Sequence, residues 1–186
     1  GQNKWRTLAL MFWGYEIKEN CRLFPKTWQL VKDIPGITAV SFNLLEENTT
    51  IKPHYGDTNA IARCHMGLDV PSSLPRCGFR VGDQITCWER GKFFMFNDAY
   101  EHTAWNNTGQ KRLVMVVDVM RDQYSQYTDS TACRVLATIK AEILKENTPF
   151  LKSITQSNFF TRTLFSFFYL VNWFQILTGT NKFKMS

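Results

Sequence analysis

At 186 residues, with 44% apolar and 20% charged side chains, the chain reads as one folded, soluble domain and not as a disordered segment. A net charge of +6 favours anionic partners such as a membrane surface, but no Lys/Arg block interleaved with aromatics occurs, which argues against nucleic acid. Five cysteines (Cys21, Cys64, Cys77, Cys87 and Cys133) without CxxC or CxH spacing exclude a disulfide framework and a zinc knuckle, and they point to a reducing, cytoplasmic setting, at the inner face of a membrane if one is touched. A single Cys77–Cys87 disulfide across a hairpin is left open, and the first residues do not read as a secretory leader.

Residues 1–36 read as an N-terminal helical segment. Within "ENCRLFPKTWQLVKD", Pro25 to Asp33 suits a helix with proline in its first turn, and Pro35-Gly36 stops it. Residues 37–120 change texture. "ITAVSFNLL", "TTIKPH", "IARCHMGLDV", "CGFRVGDQITCW", "KFFMFND", "HTAWNN" and "RLVMVVDVM" are short runs rich in β-branched and aromatic residues, separated by turn clusters. About seven or eight such strands predict a β sandwich or barrel, with a hairpin at "GDQ".

Residues 121–186 read as a C-terminal helical segment. "CRVLATIKAEILKEN" places Val135, Ile139, Ile143 and Leu144 near helical spacing, with Lys140, Glu142 and Lys145 outward. In the next helix Phe160, Leu164, Phe167, Val171 and Phe174 form an apolar stripe, with Ser157 or Asn158 as its cap and Gly179 as its stop. Residues 163–181 carry no charge and have basic residues on both sides. Two readings stand: a helix packed outside the β core, or one lying at a membrane surface. Ser166, Asn172 and Gln175 argue against a spanning helix.

All three histidines fall in the β region. Alternation along "IARCHMGL" puts Arg63 and His65 on one face, with His54 just before them, and His102 and Arg112 begin later strands. Three histidines and two arginines at neighbouring strand ends can converge on one pocket. Imidazole suits Fe(II), and the arginine fork suits a carboxylate.

The pieces "PHYGDTN", "RCHMGL", "CWERGKFFMFNDAYEHTAWNNT" and "RLVMVVDV" resemble, in order and spacing, the aspartyl/asparaginyl β-hydroxylases, over roughly Phe42 to Val119 and more loosely from Trp5. The resemblance implies a single oxygenase domain over 1–186, built on a double-stranded β-helix, a jelly-roll of cupin type with helices at both ends. It implies an Fe(II)- and 2-oxoglutarate-dependent dioxygenase that uses O2. His54 and His102 would then be the iron ligands and Arg112 the clamp on the distal carboxylate of 2-oxoglutarate. Arg63 and His65 would contact the co-substrate's iron-binding end, and Asn43 stands where the best-known members have a serine.

Gly56 occupies the position of the usual carboxylate ligand, as in the animal branch, where water takes its place. Asp57 is the neighbouring candidate if a bulge turns it inward. Asp98 reads as a turn residue or a support to the ligands, Glu101 as solvated, and Trp88 and Trp105 as core or pocket wall. The family's substrates are Asp or Asn side chains of peptides, the first expectation here, or acyl chains of lipid A in short bacterial members. A cupin-like binding module without activity is the alternative of another class.

Overall fold

The computed structural model describes residues 4–148 and 158–178. The chain divides into two compact units, one running to Gln123 and one beginning at Tyr124. The first holds β1 (Trp5–Phe12), β2 (Tyr15–Glu16), α1 (Lys18–Leu23), α2 (Pro25–Val31), β3 (Ile37–Leu45), β4 (Thr49–His54), β5 (Ile61–Asp69), β6 (Cys77–Val81), β7 (Gln84–Thr86), β8 (Phe93–Phe96), β9 (His102–Asn106) and β10 (Arg112–Met120). Two antiparallel sheets face each other, in the orders β2-β1-β3-β10-β5-β8 and β4-β9-β6-β7. This is the expected double-stranded β-helix with flanking helices.

The N-terminal segment differs from expectation, because β1 and β2 precede its helices. "WRTLALMF" is a short apolar run that sequence pattern alone does not assign to strand or helix. Its pairing with β3 decides the matter, with Thr7 opposite Asn43. The α2 helix begins at Pro25 as expected, and Gly36 follows it at φ +70°, a left-handed conformation suited to glycine.

Strand alternation divides the core. On β10, Arg112, Val114, Val116 and Asp118 face a cavity between the sheets. Met115 and Val117 turn the other way and pack with Leu10, Val40, Ile37 and the helix residues Cys21 and Val31. A second cluster inside the barrel joins Cys77, Phe79, Trp88, Ala104, Val114 and Val116. Val81 pairs with Gln84, so Gly82 and Asp83 form the hairpin loop read from "GDQ", with Gly82 at φ +52°. All five cysteines are free thiols, including Cys77 and Cys87.

The second unit contains α3 (Thr128–Asn147) and α4 (Asn158–Leu177). Two expectations are corrected. Lys140 does not point freely outward, because its Nζ donates to Asn172 Oδ1 at 2.5 Å. The expected stripe on α4 does not form the buried face. Asn172 is buried there, while Phe167 and Phe174 are exposed. In a helix apolar on nearly every side, periodicity does not select the inward face, and the polar Asn172 takes it by finding partners. The caps expected at Ser157, Asn158 and Gly179 lie outside the described side chains.

Asn106 ties the two sheets together at one end of the barrel. It is fully buried on β9, and its Nδ2 donates to the carbonyls of Glu46 (3.1 Å) and Gln110 (2.7 Å), while its Oδ1 accepts from Thr108 Oγ1 at 2.7 Å. Asn106→Leu leaves buried acceptors without donors, each costing about 1–3 kcal/mol. Urea denaturation should show the variant destabilised by about 2–4 kcal/mol. An unchanged midpoint would remove this link from the account.

Candidate active site

A cavity of about 260 Å3 lies between the sheets, and His54, Arg63, His65, His102, Arg112 and Asn43 all line it. Every expected site residue except Asp57 is therefore brought together. Asp57 is exposed and is not part of this wall.

The two outer histidines face each other across β4 and β9. Ile51 pairs with Ala104, but His54 pairs with His102, so the register slips by one residue between these pairs. Without that bulge Pro53 would sit opposite His102 and the His54 side chain would turn away. The rings lie 4.2 Å apart between centroids. Each is oriented by the same device. His54 Nδ1 donates to the carbonyl of Lys52 (2.9 Å) and His102 Nδ1 to that of Tyr100 (2.8 Å), each two residues back. A proton held on Nδ1 leaves the Nε2 lone pair free, which is how metal-ligating histidines are prepared. Burial pushes the His102 pKa down, further favouring the neutral ring. Among the described residues there is no group of three or more His, Cys, Asp and Glu side chains able to hold a metal.

Asp98 occupies the place a side chain at residue 56 would need. A Cβ on Gly56 would fall 1.7 Å from Asp98 Oδ2, and the Gly56 N–H donates to the Asp98 carbonyl at 2.8 Å. The Asp98 carboxylate is buried, 3.6 Å from His102 Nε2 and 2.6 Å from Arg63 Nη1. Burial pushes its pKa up to about 6, against the pull of the Arg63 guanidinium.

The two arginines are held in opposite ways. Arg63 is paired across β5 and β10 with Asp118 by two parallel bonds of 2.8 Å, besides its bond to Asp98. Burial alone would weaken its charge, but Asp118 and then Asp98 outweigh that and hold its pKa above the usual value. Arg63 is thus held by two carboxylates while it still lines the cavity, where the sequence places it. Among the described residues Arg112 has no such partner. It is 2% exposed, its Nε finds no hydrogen-bond acceptor, and burial pulls its pKa down to about 10. Its guanidinium lies 4.3 Å from the centroid of the Trp88 ring.

Trp88 Nε1 in turn donates to His65 Nδ1 at 3.3 Å. Burial pushes His65 far below the usual imidazole range, with Arg63, Arg112 and His102 adding to it, so the ring is neutral and Nε2 carries its proton. Asn43 accepts from Thr7 Oγ1 (2.7 Å) and donates to Ser41 Oγ (2.8 Å).

Sequence reasoning missed Asp118, the bond from Asp98 to Arg63, and the contribution of Trp5 and Thr7 from β1. A carboxylate inside "RLVMVVDVM" was the available signal, since an acid on a buried strand needs a partner. Glu101, read as solvated, receives Arg80 Nη2 at 2.8 Å. Trp105 donates to the Pro75 carbonyl.

The fold and site define a jelly-roll protein whose barrel holds a histidine pair at one place and an unpaired arginine at another. The profile of the aspartyl/asparaginyl β-hydroxylases matches residues 1–122, and the chain belongs to that family. It is 37% identical over 118 residues to the ornithine lipid ester-linked acyl 2-hydroxylase of Rhizobium tropici, covering 63% of this chain and 42% of that protein. It is 31% identical over 120 residues to the aspartyl/asparaginyl β-hydroxylase of Homo sapiens, covering 62% of this chain and 16% of that one. The chain thus spans less than half the length of either relative. Among solved structures, a Cupin 2 conserved barrel domain protein from Salinispora arenicola CNS-205 superposes with a TM-score of 0.43 at 12% identity, over 72% of this chain and 87% of that one.

The Gly56–Asp98 contact is testable by stability. Gly56→Ala forces a methyl group into the Asp98 carboxylate and should cost about 1–3 kcal/mol. In an Asp98→Ala background the same change should cost less, the remainder coming from the residue 98 carbonyl oxygen, 2.9 Å from the same Cβ. Urea midpoints of the single and double variants measure this coupling, and additive costs would contradict the contact.

Proposed function

We propose that this protein is an Fe(II)- and 2-oxoglutarate-dependent hydroxylase. The observation that carries the reading is the buried Arg112 guanidinium, unpaired in the same cavity as two histidines with free Nε2 lone pairs. A buried cation without a partner is costly unless a ligand supplies the anion. The residues fit the implied groups. His54 and His102 would hold the iron through Nε2. Arg112 would take the distal carboxylate of 2-oxoglutarate, with Asn43 and the Nε2–H of His65 in the same wall as further polar contacts.

Iron and 2-oxoglutarate together supply the oxidising power that places one atom of O2 on a C–H carbon and the other in succinate, with release of CO2. The chain's own residues orient and shield. The carbonyls of Lys52 and Tyr100 fix the imidazoles, Asp118 and Asp98 hold Arg63 in place, and Phe79, Phe94 and Phe96 pack against His65 to keep that wall dry.

The cavity favours an acyl chain over the acidic peptide side chain as substrate. Its two cations are committed, Arg63 to Asp118 and Asp98, and Arg112 to the co-substrate. No cation in the wall then remains for the carboxylate of an aspartate. Trp5, Ala9, Met11, Phe12, Ala39 and Ile51 form an apolar share of the wall. The 37%-identical relative named for an acyl 2-hydroxylation supports the same reading.

Arg112→Met should weaken 2-oxoglutarate binding by on the order of 10²-fold, since it removes hydrogen bonds to a charged group worth roughly 1.5–3 kcal/mol each. Fe(II) affinity should be unchanged, and Arg112→Lys should recover only part of the loss. Calorimetric titration of metal and co-substrate into each variant measures both, and undiminished 2-oxoglutarate binding by Arg112→Met would overturn the assignment. For the substrate, succinate release from the Fe(II)-loaded protein should rise with acyl lipids and not with peptides containing Asp or Asn. The reverse pattern would restore the peptide reading.

A further inference from the structure

We propose that the outward face of α4 lies in the interface of an anionic phospholipid bilayer. The rotation of α4 is set by its inward face. Asn172 is 1% exposed, its Nδ2 donates to the Cys133 carbonyl on α3 at 3.2 Å, and its Oδ1 accepts from Lys140 Nζ at 2.5 Å. Arg134 of α3 lies 5.6 Å from the Tyr169 ring. With that side fastened, Phe167, Leu170, Phe174 and Leu177 point outward at helical spacing. They are 59%, 65%, 66% and 69% exposed, with Trp173 beside them at 37%. A helix normally turns its polar face to water. Here the buried position holds a paired asparagine and the solvent side holds phenylalanine and leucine, so the exposed stripe is left without an apolar cover.

Charge selects the occupant. After Glu146 the sequence contains no acidic residue, and its charges are Lys152, Arg162, Lys182 and Lys184. Arg162 is the one charged residue within α4 and is exposed. An apolar stripe whose own helix carries a single, positive charge, in a stretch of sequence whose only charges are basic, matches a membrane interface with anionic headgroups, where acyl boundary and phosphate lie side by side. A second copy of the chain would bring the same positive charges against these. The helix lies on the membrane and does not cross it, since no helix among the described residues is long and apolar enough to span. The inference stands apart from the hydroxylase reading, because binding to vesicles requires no turnover.

The test is co-sedimentation of the full chain with vesicles of phosphatidylcholine alone and of phosphatidylcholine with phosphatidylglycerol. The protein should pellet with the anionic vesicles, weakly with the neutral ones, and less as salt is raised. The variant Phe167→Ser/Leu170→Ser/Phe174→Ser alters only exposed side chains and should lose roughly tenfold or more of the partitioning. Brominated lipids should quench fluorescence in the parent, and Trp173→Phe should remove much of that quenching while still pelleting. The proposal is overturned if the parent stays in the supernatant, if the triple variant pellets as well as the parent, or if quenching does not depend on Trp173. It is also overturned if the parent is a dimer that the triple substitution dissociates, since a second copy would then cover the stripe.

Discussion

A positive charge buried between two sheets, with no counter-ion among the described residues, is the constraint around which this barrel is arranged. Arg112 begins β10 opposite Leu45 of β3 and is almost fully removed from solvent. The protein softens that burial only indirectly, through the face of the Trp88 ring. Trp88 then fixes the His65 tautomer, and His65 sits among Phe79, Phe94 and Phe96. A chain of contacts thus runs from an unsatisfied cation to the aromatic packing of the barrel. Burial of this guanidinium carries an electrostatic cost that a bound carboxylate would offset, which is what the proposed function asks of it.

Arg63 shows the contrast within the same cavity. Its position opposite Asp118 on β10, its two parallel bonds to that carboxylate and its bond to Asp98 leave it little free charge. Asp98 serves three neighbours at once. It binds Arg63, approaches His102, and fills the volume that glycine at 56 leaves open. The absence of a side chain at residue 56 and the presence of a carboxylate from residue 98 are therefore one structural fact. They explain why the histidine pair is flanked by an acid although the usual sequence position for one is a glycine.

Much of this was legible in the sequence where local rules are strong. The "GDQ" hairpin, the start of α2 at Pro25 and the strand texture of residues 37–120 follow from turn chemistry and β-branched runs. The gathering of His54, His65, His102, Arg63 and Arg112 was read from strand alternation and family resemblance together. What stayed hidden depended on partners distant in sequence. β1 becomes a strand by pairing with β3, and the His54 orientation depends on a bulge that alternation alone predicts wrongly. Asp118 could be flagged as an acid in an apolar strand, but its match to Arg63 comes from the β5–β10 register. The inward face of α4 escaped because hydrophobicity surrounds the helix, and one asparagine decided its rotation.

On the proposed function, Arg112 would receive a dicarboxylate beside a metal on the histidine pair. The most direct measurement is the thermal midpoint of the unmodified protein as 2-oxoglutarate is added, with Mn(II) present as a redox-inert occupant of the metal site. Linkage requires the midpoint to rise with the logarithm of ligand concentration above the dissociation constant. Acetate, which lacks the second carboxylate, should give little of this rise. A midpoint indifferent to 2-oxoglutarate at all concentrations, or shifted equally by acetate, would contradict the account.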